Sequence, residues 1–352
     1  MDGMIKKLKW RQDGIERVIK LLPDGRIGFL AEEIRSETSL SGEQLAERLR
    51  QMLEGDLKDK RAEKLPDRAD LATQPLKQWE FEVSREGGPI PVTVCQPTDE
   101  KGSLPCVIYI HGGGWRSGSR AAVQPVCRYL AQQGEALVIN VEYRLAPEYK
   151  WPAGLEDCWA VLCWVYENAE SLRVDRNRIV VAGDSAGGNL AALCAHRDRN
   201  RKTGMIRGQV LYYAALTVKD TEGLRNFHFG LEDYIYDDSQ KNIIEPRILA
   251  LWNAMQRNDN DYLPEGVTAR DARVSPLWDK DFSNLPTTLL ITAQYDSLTP
   301  QSRTYAKYLA ENNVPVTWVD YCGMTHGFIG RYGVCPQVED SIDEIARFLK
   351  RI

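Results

Sequence analysis

An apolar run, Arg178-Ile179-Val180-Val181-Ala182, leads into Gly183-Asp184-Ser185-Ala186-Gly187, and a helix-like run, Gly188-Asn189-Leu190-Ala191-Ala192-Leu193-Cys194-Ala195, follows. This order predicts a buried strand that reverses sharply into a helix, with a serine at the turn. Such a reversal holds the turn residue in a strained backbone conformation, so its neighbours must be small. The serine hydroxyl is lifted into the open. The next amide, that of Ala186, is aimed where an oxyanion would form during acyl transfer. Five residues alone fit many ordinary turns, so the reading depends on what the rest of the chain supplies.

Two further segments supply it. Upstream, Pro105-Cys106-Val107-Ile108-Tyr109-Ile110 reads as a buried strand that runs into His111-Gly112-Gly113-Gly114-Trp115. Glycines there let backbone N–H groups approach a bound group unobstructed. With Ala186, Gly113 and Gly114 are candidate oxyanion donors. The loop has neither the ending of a P-loop nor the spacing of a dinucleotide turn. His111 precedes the glycines and is read as a brace for the loop, not as a base.

Downstream, Pro286-Thr287-Thr288-Leu289-Leu290-Ile291-Thr292-Ala293 reads as a central strand that ends in Gln294-Tyr295-Asp296. An acid at the carboxyl end of a parallel strand sits on the ligand-binding edge of a sheet. A helix N-cap is the competing role for Asp296. A further strand, Val314 to Val319, precedes Gly323-Met324-Thr325-His326-Gly327-Phe328. The chain has four histidines. His196 falls late in a helix and His228 in an irregular polar stretch. His326 alone follows a strand downstream of both Ser185 and Asp296. Ser, Asp, His is the order of the α/β-hydrolase arrangement.

Together with Tyr143-Arg144-Leu145-Ala146-Pro147-Glu148 and Ser275-Pro276-Leu277, these segments make the chain resemble the hormone-sensitive-lipase-like group of α/β-hydrolases, which includes bacterial carboxylesterases and acetyl esterases. The likeness covers roughly residues 75 to 350. It implies Ser185 as nucleophile, His326 as its base and Asp296 as the orienter. It also implies Gly113, Gly114 and Ala186 as the oxyanion hole, with no metal or organic cofactor. Two positions depart from the pattern: Ser297 stands where Pro often follows the acid, and Glu142 where Asp is common before Tyr-Arg.

At 352 residues the chain can bury a large core. Alternating strands (78–84, 90–96, 105–110, 136–141, 178–183, 206–212, 287–293, 315–320) and helices (121–133, 152–168, 186–198, 300–311, 337–350) predict a mostly parallel eight-stranded sheet with helices on both faces. Trp79–Val83 and Ile90–Cys95 suggest an antiparallel hairpin at one edge. Residues 1–72 are charge-rich and read as helical. Ser41-Gly42-Glu43-Gln44 forms a capping box there, Leu40 and Leu45 a staple, and Leu45, Leu49, Met52 and Leu53 one apolar face. This region reads as a cap over a 73–352 catalytic domain, with a dimerisation arm as the alternative. Homo-oligomerisation stays open. The pattern breaks between Ala214 and Val274, and this 214–274 stretch reads as a second part of the cap. Its aromatics, among them Phe227, Phe229, Tyr234, Tyr236, Trp252 and Tyr262, either line a substrate pocket or pack the cap.

Net charge is −5 with no long basic run, which argues against a nucleic-acid partner. No apolar run reaches 18 residues, so no membrane span is expected, and the N-terminus lacks the apolar core of a signal peptide. Eight cysteines without C-x-x-C pairs read as reduced thiols of a cytoplasmic protein. The expected activity is hydrolysis of small-molecule, short-chain acyl esters. Amide or peptide hydrolysis uses the same triad and stays open. A binding protein of this fold, like the plant gibberellin receptors that lack a complete triad, is the reading from another class.

Overall fold

Ten strands are hydrogen-bonded into one sheet in the computed structural model, which describes residues 5–35, 44, 47, 48, 51, 57–62, 70–98, 102–219, 221–257 and 259–352. In chain order they are β1 (Lys7–Gln12), β2 (Ile15–Lys20), β3 (Leu76–Val83), β4 (Ile90–Pro97), β5 (Leu104–Ile110), β6 (Leu137–Val141), β7 (Val174–Asp184), β8 (Gly208–Tyr212), β9 (Thr287–Tyr295) and β10 (Val316–Thr325). The spatial order is β1-β2-β10-β9-β8-β7-β5-β6-β4-β3. From β2 to β6 every neighbouring pair is parallel. The edge pairings β1–β2, β3–β4 and β4–β6 are antiparallel.

The central strands are parallel because their side chains are apolar on both faces. β5, β6 and β8 are buried at every residue, as a sheet covered by helices on both sides requires. Alternate residues of β5 enter opposite cores: Ile108 and Ile110 one, Val107 and Tyr109 the other. Helices α1 (Arg120–Gly134) and α6 (Pro336–Leu349) bury Val126, Leu130, Ile342 and Phe348 on the second side. Helices α2 (Ala153–Glu167), α3 (Ala186–Arg201) and α5 (Thr299–Glu311) bury Leu162, Leu190 and Leu309 on the first. Burying each such side chain contributes about 1.5–3 kcal/mol.

Each of the eight expected strands has a counterpart in β3 to β10, but the sheet has ten strands, not eight. The extra pair is the hairpin β1–β2, in a region expected to be helical. Its cause is Asp13-Gly14. Both residues have positive φ, 50° and 80°, and Gln12 pairs with Ile15 across them. A two-residue turn of that hand matches strand twist and calls for Asp-Gly. β2 then adds to β10 in parallel. The remaining described helices before β3 are short, at Glu32–Arg35 and Leu57–Ala62. Gln44, Glu47, Arg48 and Gln51 are helical, whereas the rest of the 41–44 capping box, its Leu40–Leu45 staple and the apolar face of Leu45, Leu49, Met52 and Leu53 lie outside the described residues. The break at 214–274 holds one long helix, α4 (Lys241–Arg257).

Candidate active site

Ser185 sits between the end of β7 and the start of α3, with φ 52° and ψ −116°. A non-glycine residue held there stores about 1–3 kcal/mol of strain. Two bonds to the extension of β8 hold the turn: Ser185 N–H donates to Tyr212 O (2.9 Å), and Ala215 N–H donates to Ser185 O (3.1 Å). The flanking glycines are there for closeness. A Cβ on Gly187 would lie 2.0 Å from Ile110 O, and one on Gly183 would lie 2.4 Å from Gly187 C. The elbow is thus pressed onto the end of β5, where the glycine loop begins.

Asp296 follows β9 and His326 follows β10, so neighbouring strands carry them to the same edge. His326 Nε2 lies 2.9 Å from Ser185 Oγ, and His326 Nδ1 lies 2.7 Å from Asp296 Oδ2. Asp296 is fully buried. Its other oxygen, Oδ1, accepts the Leu298 N–H at 2.8 Å, and its carbonyl accepts the Tyr234 hydroxyl at 3.1 Å. Asp296 is not the N-cap of α5, a position that falls to Leu298; its carboxylate is the partner of the histidine, and its spare oxygen closes the turn ahead of the helix. The Tyr213 ring lies 4.8 Å from the imidazole of His326.

The glycine loop is fixed through its peptide planes. Gly112 N–H donates to Asp184 Oδ1 (3.0 Å), tying the loop to the residue before Ser185. Gly112 O lies 2.8 Å from His111 Nδ1. Gly113 O accepts three donors: Arg116 N–H (3.2 Å), Ser117 N–H (3.0 Å) and the Ser117 hydroxyl (2.9 Å). A trans peptide is planar, with its C=O and N–H pointing oppositely. Fixing the carbonyls of Gly112 and Gly113 therefore fixes the directions of the Gly113 and Gly114 amides. Gly113 has φ 127°, and a Cβ there would lie 2.0 Å from Ser117 O. The Trp115 indole donates to Asn189 Oδ1 (3.2 Å), whose amide donates to Val274 O (3.0 Å).

Burial lowers the His111 pKa to about 4, so a neutral ring braces the loop through Nδ1–H, stacked on Tyr143 with ring centroids 4.4 Å apart. Glu142, at a departing position, lies 3.9 Å from His111 Nε2, and Glu142 Oε2 accepts the Arg120 amide. His196 bonds to Asp279 and Tyr305, and His228 to Glu232.

Burial raises the Asp184 pKa to about 6, against the pull of the Gly112 and Tyr109 hydrogen bonds. The unfolded chain loses this proton nearer pH 3.8. Between those values the unfolded state binds fewer protons, so stability falls as pH rises, and the deficit is complete above about pH 6. Asp184→Asn keeps an acceptor for Gly112 and removes the charge. It is expected to melt higher than wild type at pH 8, by up to about 3 kcal/mol, and to match it near pH 4. Thermal melts at both pH values check this.

Several contributors were not singled out from sequence: Asp184 as anchor of the glycine loop, Asn189, Tyr213 and Arg61. In the 214–274 stretch, Phe229 stacks on Trp252 with centroids 3.9 Å apart, and Tyr262 stacks on Trp115 at 4.6 Å. Seven of the eight cysteines are buried. Among the described residues, no group of three or more His, Cys, Asp or Glu is placed to hold a metal ion, and no helix is long and apolar enough to cross a membrane.

Comparisons with known proteins agree with this geometry. The alpha/beta hydrolase fold family matches residues 107–330. The chain is 35% identical over 262 residues to a carboxylesterase of Mycobacterium tuberculosis, covering 74% of this chain and 78% of that protein. It is 30% identical over 263 residues to an arylesterase of Saccharolobus solfataricus, covering 71% and 76%. The solved structure of a hyperthermophilic esterase from Pyrobaculum calidifontis superposes with TM-score 0.71 at 31% identity, covering 92% of this chain and 98% of that one. With strand order, elbow, glycine loop and Ser–His–Asp contacts in place, the chain is a member of the α/β-hydrolase fold family, in its hormone-sensitive-lipase-like branch.

Proposed function

We propose that the chain is a serine carboxylesterase that cuts short-chain acyl esters through an acyl-enzyme on Ser185. One observation carries this reading. On a strained strand-to-helix turn, the Ser185 hydroxyl lies 2.9 Å from His326 Nε2, whose other nitrogen meets a buried carboxylate at 2.7 Å. His326 takes the serine proton as Oγ attacks the ester carbonyl, and returns it to the leaving alcohol. Asp296 keeps the proton on Nδ1, so Nε2 presents a lone pair, and it stabilises the imidazolium as it forms. The amides of Gly113, Gly114 and Ala186 stabilise the oxyanion, each worth about 2.7–4 kcal/mol. Water attacks the acyl-enzyme by the same route.

The two segments read as a cap, residues 1–72 and 214–274, are proposed to cover this site of a 73–352 catalytic domain, except for β1 and β2, which extend that domain's sheet. Their contacts with the site support this. Tyr262 stacks on Trp115, Tyr234 bonds to the Asp296 carbonyl, and Arg61 bonds to the glycine-loop turn. The largely buried thiols support a reducing, cytoplasmic setting.

Short chains are the proposed acyl class. A relative 29% identical over 272 residues is named ethyl acetate hydrolase, from Pseudomonas putida. Methylenes that a pocket does not accommodate cost about 1–3 kcal/mol. Comparing p-nitrophenyl acetate, butyrate and palmitate should therefore place kcat/KM for palmitate about 10- to 100-fold below the shorter esters. A preference for palmitate contradicts the short-chain reading. Hydrolysis of none of the three contradicts esterase function.

A further inference from the structure

We infer that Arg61 is a positioning residue for the oxyanion amide of Gly114, acting from the N-terminal segment through two peptide planes. The inference rests on the reading of Gly114 as an oxyanion donor. Arg61 lies in the short helix Leu57–Ala62, far in sequence from every motif of the site. All three nitrogens of its guanidinium are engaged. Nε donates to Arg116 O (2.8 Å), Nη2 to Ala146 O (2.7 Å), and Nη1 and Nη2 to the Glu148 carboxylate (2.8 and 2.9 Å). The two loops that it joins are also bonded to each other, Ala146 N–H donating to Trp115 O at 2.9 Å.

The Arg116 carbonyl is the important acceptor. It shares a peptide plane with the Ser117 N–H, and that N–H donates to Gly113 O. Gly113 O in turn shares a plane with the Gly114 N–H. The connection is therefore one continuous relay: Arg61 Nε–H to Arg116 C=O, Ser117 N–H to Gly113 C=O, and then the Gly114 N–H. Because each peptide is planar, holding one end of the relay sets the direction of the other. Each hydrogen bond in such a chain also polarises the next, and a cationic donor at its head makes the terminal N–H a better donor.

The ion pair with Glu148 is too exposed to matter much by itself. The fork of a guanidinium, which reaches two carbonyls and a carboxylate at once, is what a lysine cannot reproduce. From the other side of the same turn, the Arg116 side chain donates to Asp261 at 2.7 Å. Both segments flanking the site thus converge on the residue that follows the glycine loop.

The test measures kcat, KM, the pH profile of kcat/KM and the melting temperature on p-nitrophenyl acetate for wild type, Arg61→Ala and Arg61→Lys, with Ser185→Ala alongside. Misdirecting one amide is expected to lower kcat of Arg61→Ala about 10- to 100-fold. KM should stay within about twofold and the acid limb of the pH profile unchanged, since ground-state binding and His326 are untouched. Arg61→Lys, which keeps a cation but reaches fewer acceptors, should fall between the two and keep the wild-type melting temperature. If Arg61→Ala does not fold, Arg61→Lys decides alone: an intermediate kcat supports the relay, and a wild-type kcat overturns it. A wild-type kcat in Arg61→Ala, or a loss that follows the folded fraction with no rescue by lysine, also overturns it. With wild type active and Ser185→Ala slower by about 10⁵- to 10⁶-fold, those results refute the relay and leave the site standing. A Ser185→Ala variant as active as wild type refutes both.

Discussion

Ser185→Ala is expected to lower kcat on p-nitrophenyl acetate by about 10⁵- to 10⁶-fold, with the fold intact. The serine supplies the only oxygen within bonding distance of His326 Nε2 among the described contacts, so no acyl-enzyme forms without it. Some catalysis should remain, because the glycine loop still binds an oxyanion, and residual acceleration of about 10³–10⁴ over water is usual when a triad member is lost. Alanine also releases a strained turn from its hydroxyl contact without adding volume. The variant is therefore expected to melt at or slightly above the wild-type temperature. Steady-state kinetics and a thermal melt on the same preparation separate loss of chemistry from loss of fold.

Asp296→Asn should cost about 10⁴-fold in kcat, and the structure says why the amide cannot evade the problem. Oδ1 of Asp296 accepts the Leu298 N–H, and Oδ2 faces His326 Nδ1. In the asparagine variant the amide oxygen is retained by Leu298, so the amide nitrogen faces His326. Two donors then oppose each other unless the ring places its proton on Nε2. That tautomer offers Ser185 no lone pair, and proton transfer from the serine stops. KM should change little, because the substrate does not contact this buried residue. An Asp296→Asn variant within tenfold of wild type would mean that His326 is oriented by something else.

The sequence made the triad legible because each member lies at the end of a strand within a local signature. The turn, the loop and the histidine could each be found within a few residues, and their order then fixed their roles. The same locality explains what was missed. The β1–β2 hairpin was hidden by the charged residues of Lys7-Leu8-Lys9-Trp10-Arg11-Gln12, although Asp13-Gly14 signals it. This strand is an exposed edge, so its side chains carry little apolar pattern. In α4, Ile244, Ile248, Leu251 and Met255 recur at helical spacing, and all four are buried. Pro246 and the surrounding aromatics masked that spacing. Arg61 was not legible at all. Its acceptors stand 55, 85 and 87 residues away, and only the folded chain brings them together. Asp184, one of the five elbow residues, carries no sign in the sequence of the loop that it reaches. Its bond to the Gly112 amide shows that it couples the elbow to the glycine loop.

The nucleophile itself can be labelled directly. Treatment with diethyl p-nitrophenyl phosphate, followed by tryptic digestion and mass spectrometry, reports which residue is phosphorylated. Trypsin should release Ile179–Arg197, in which Ser185 is the sole hydroxyl side chain. The expected result is one diethylphosphoryl adduct per chain on Ser185, formed in step with loss of esterase activity and absent from Ser185→Ala. Complete inactivation with Ser185 unmodified, or an adduct at another residue, would contradict the assignment of Ser185 as the acyl-carrying nucleophile.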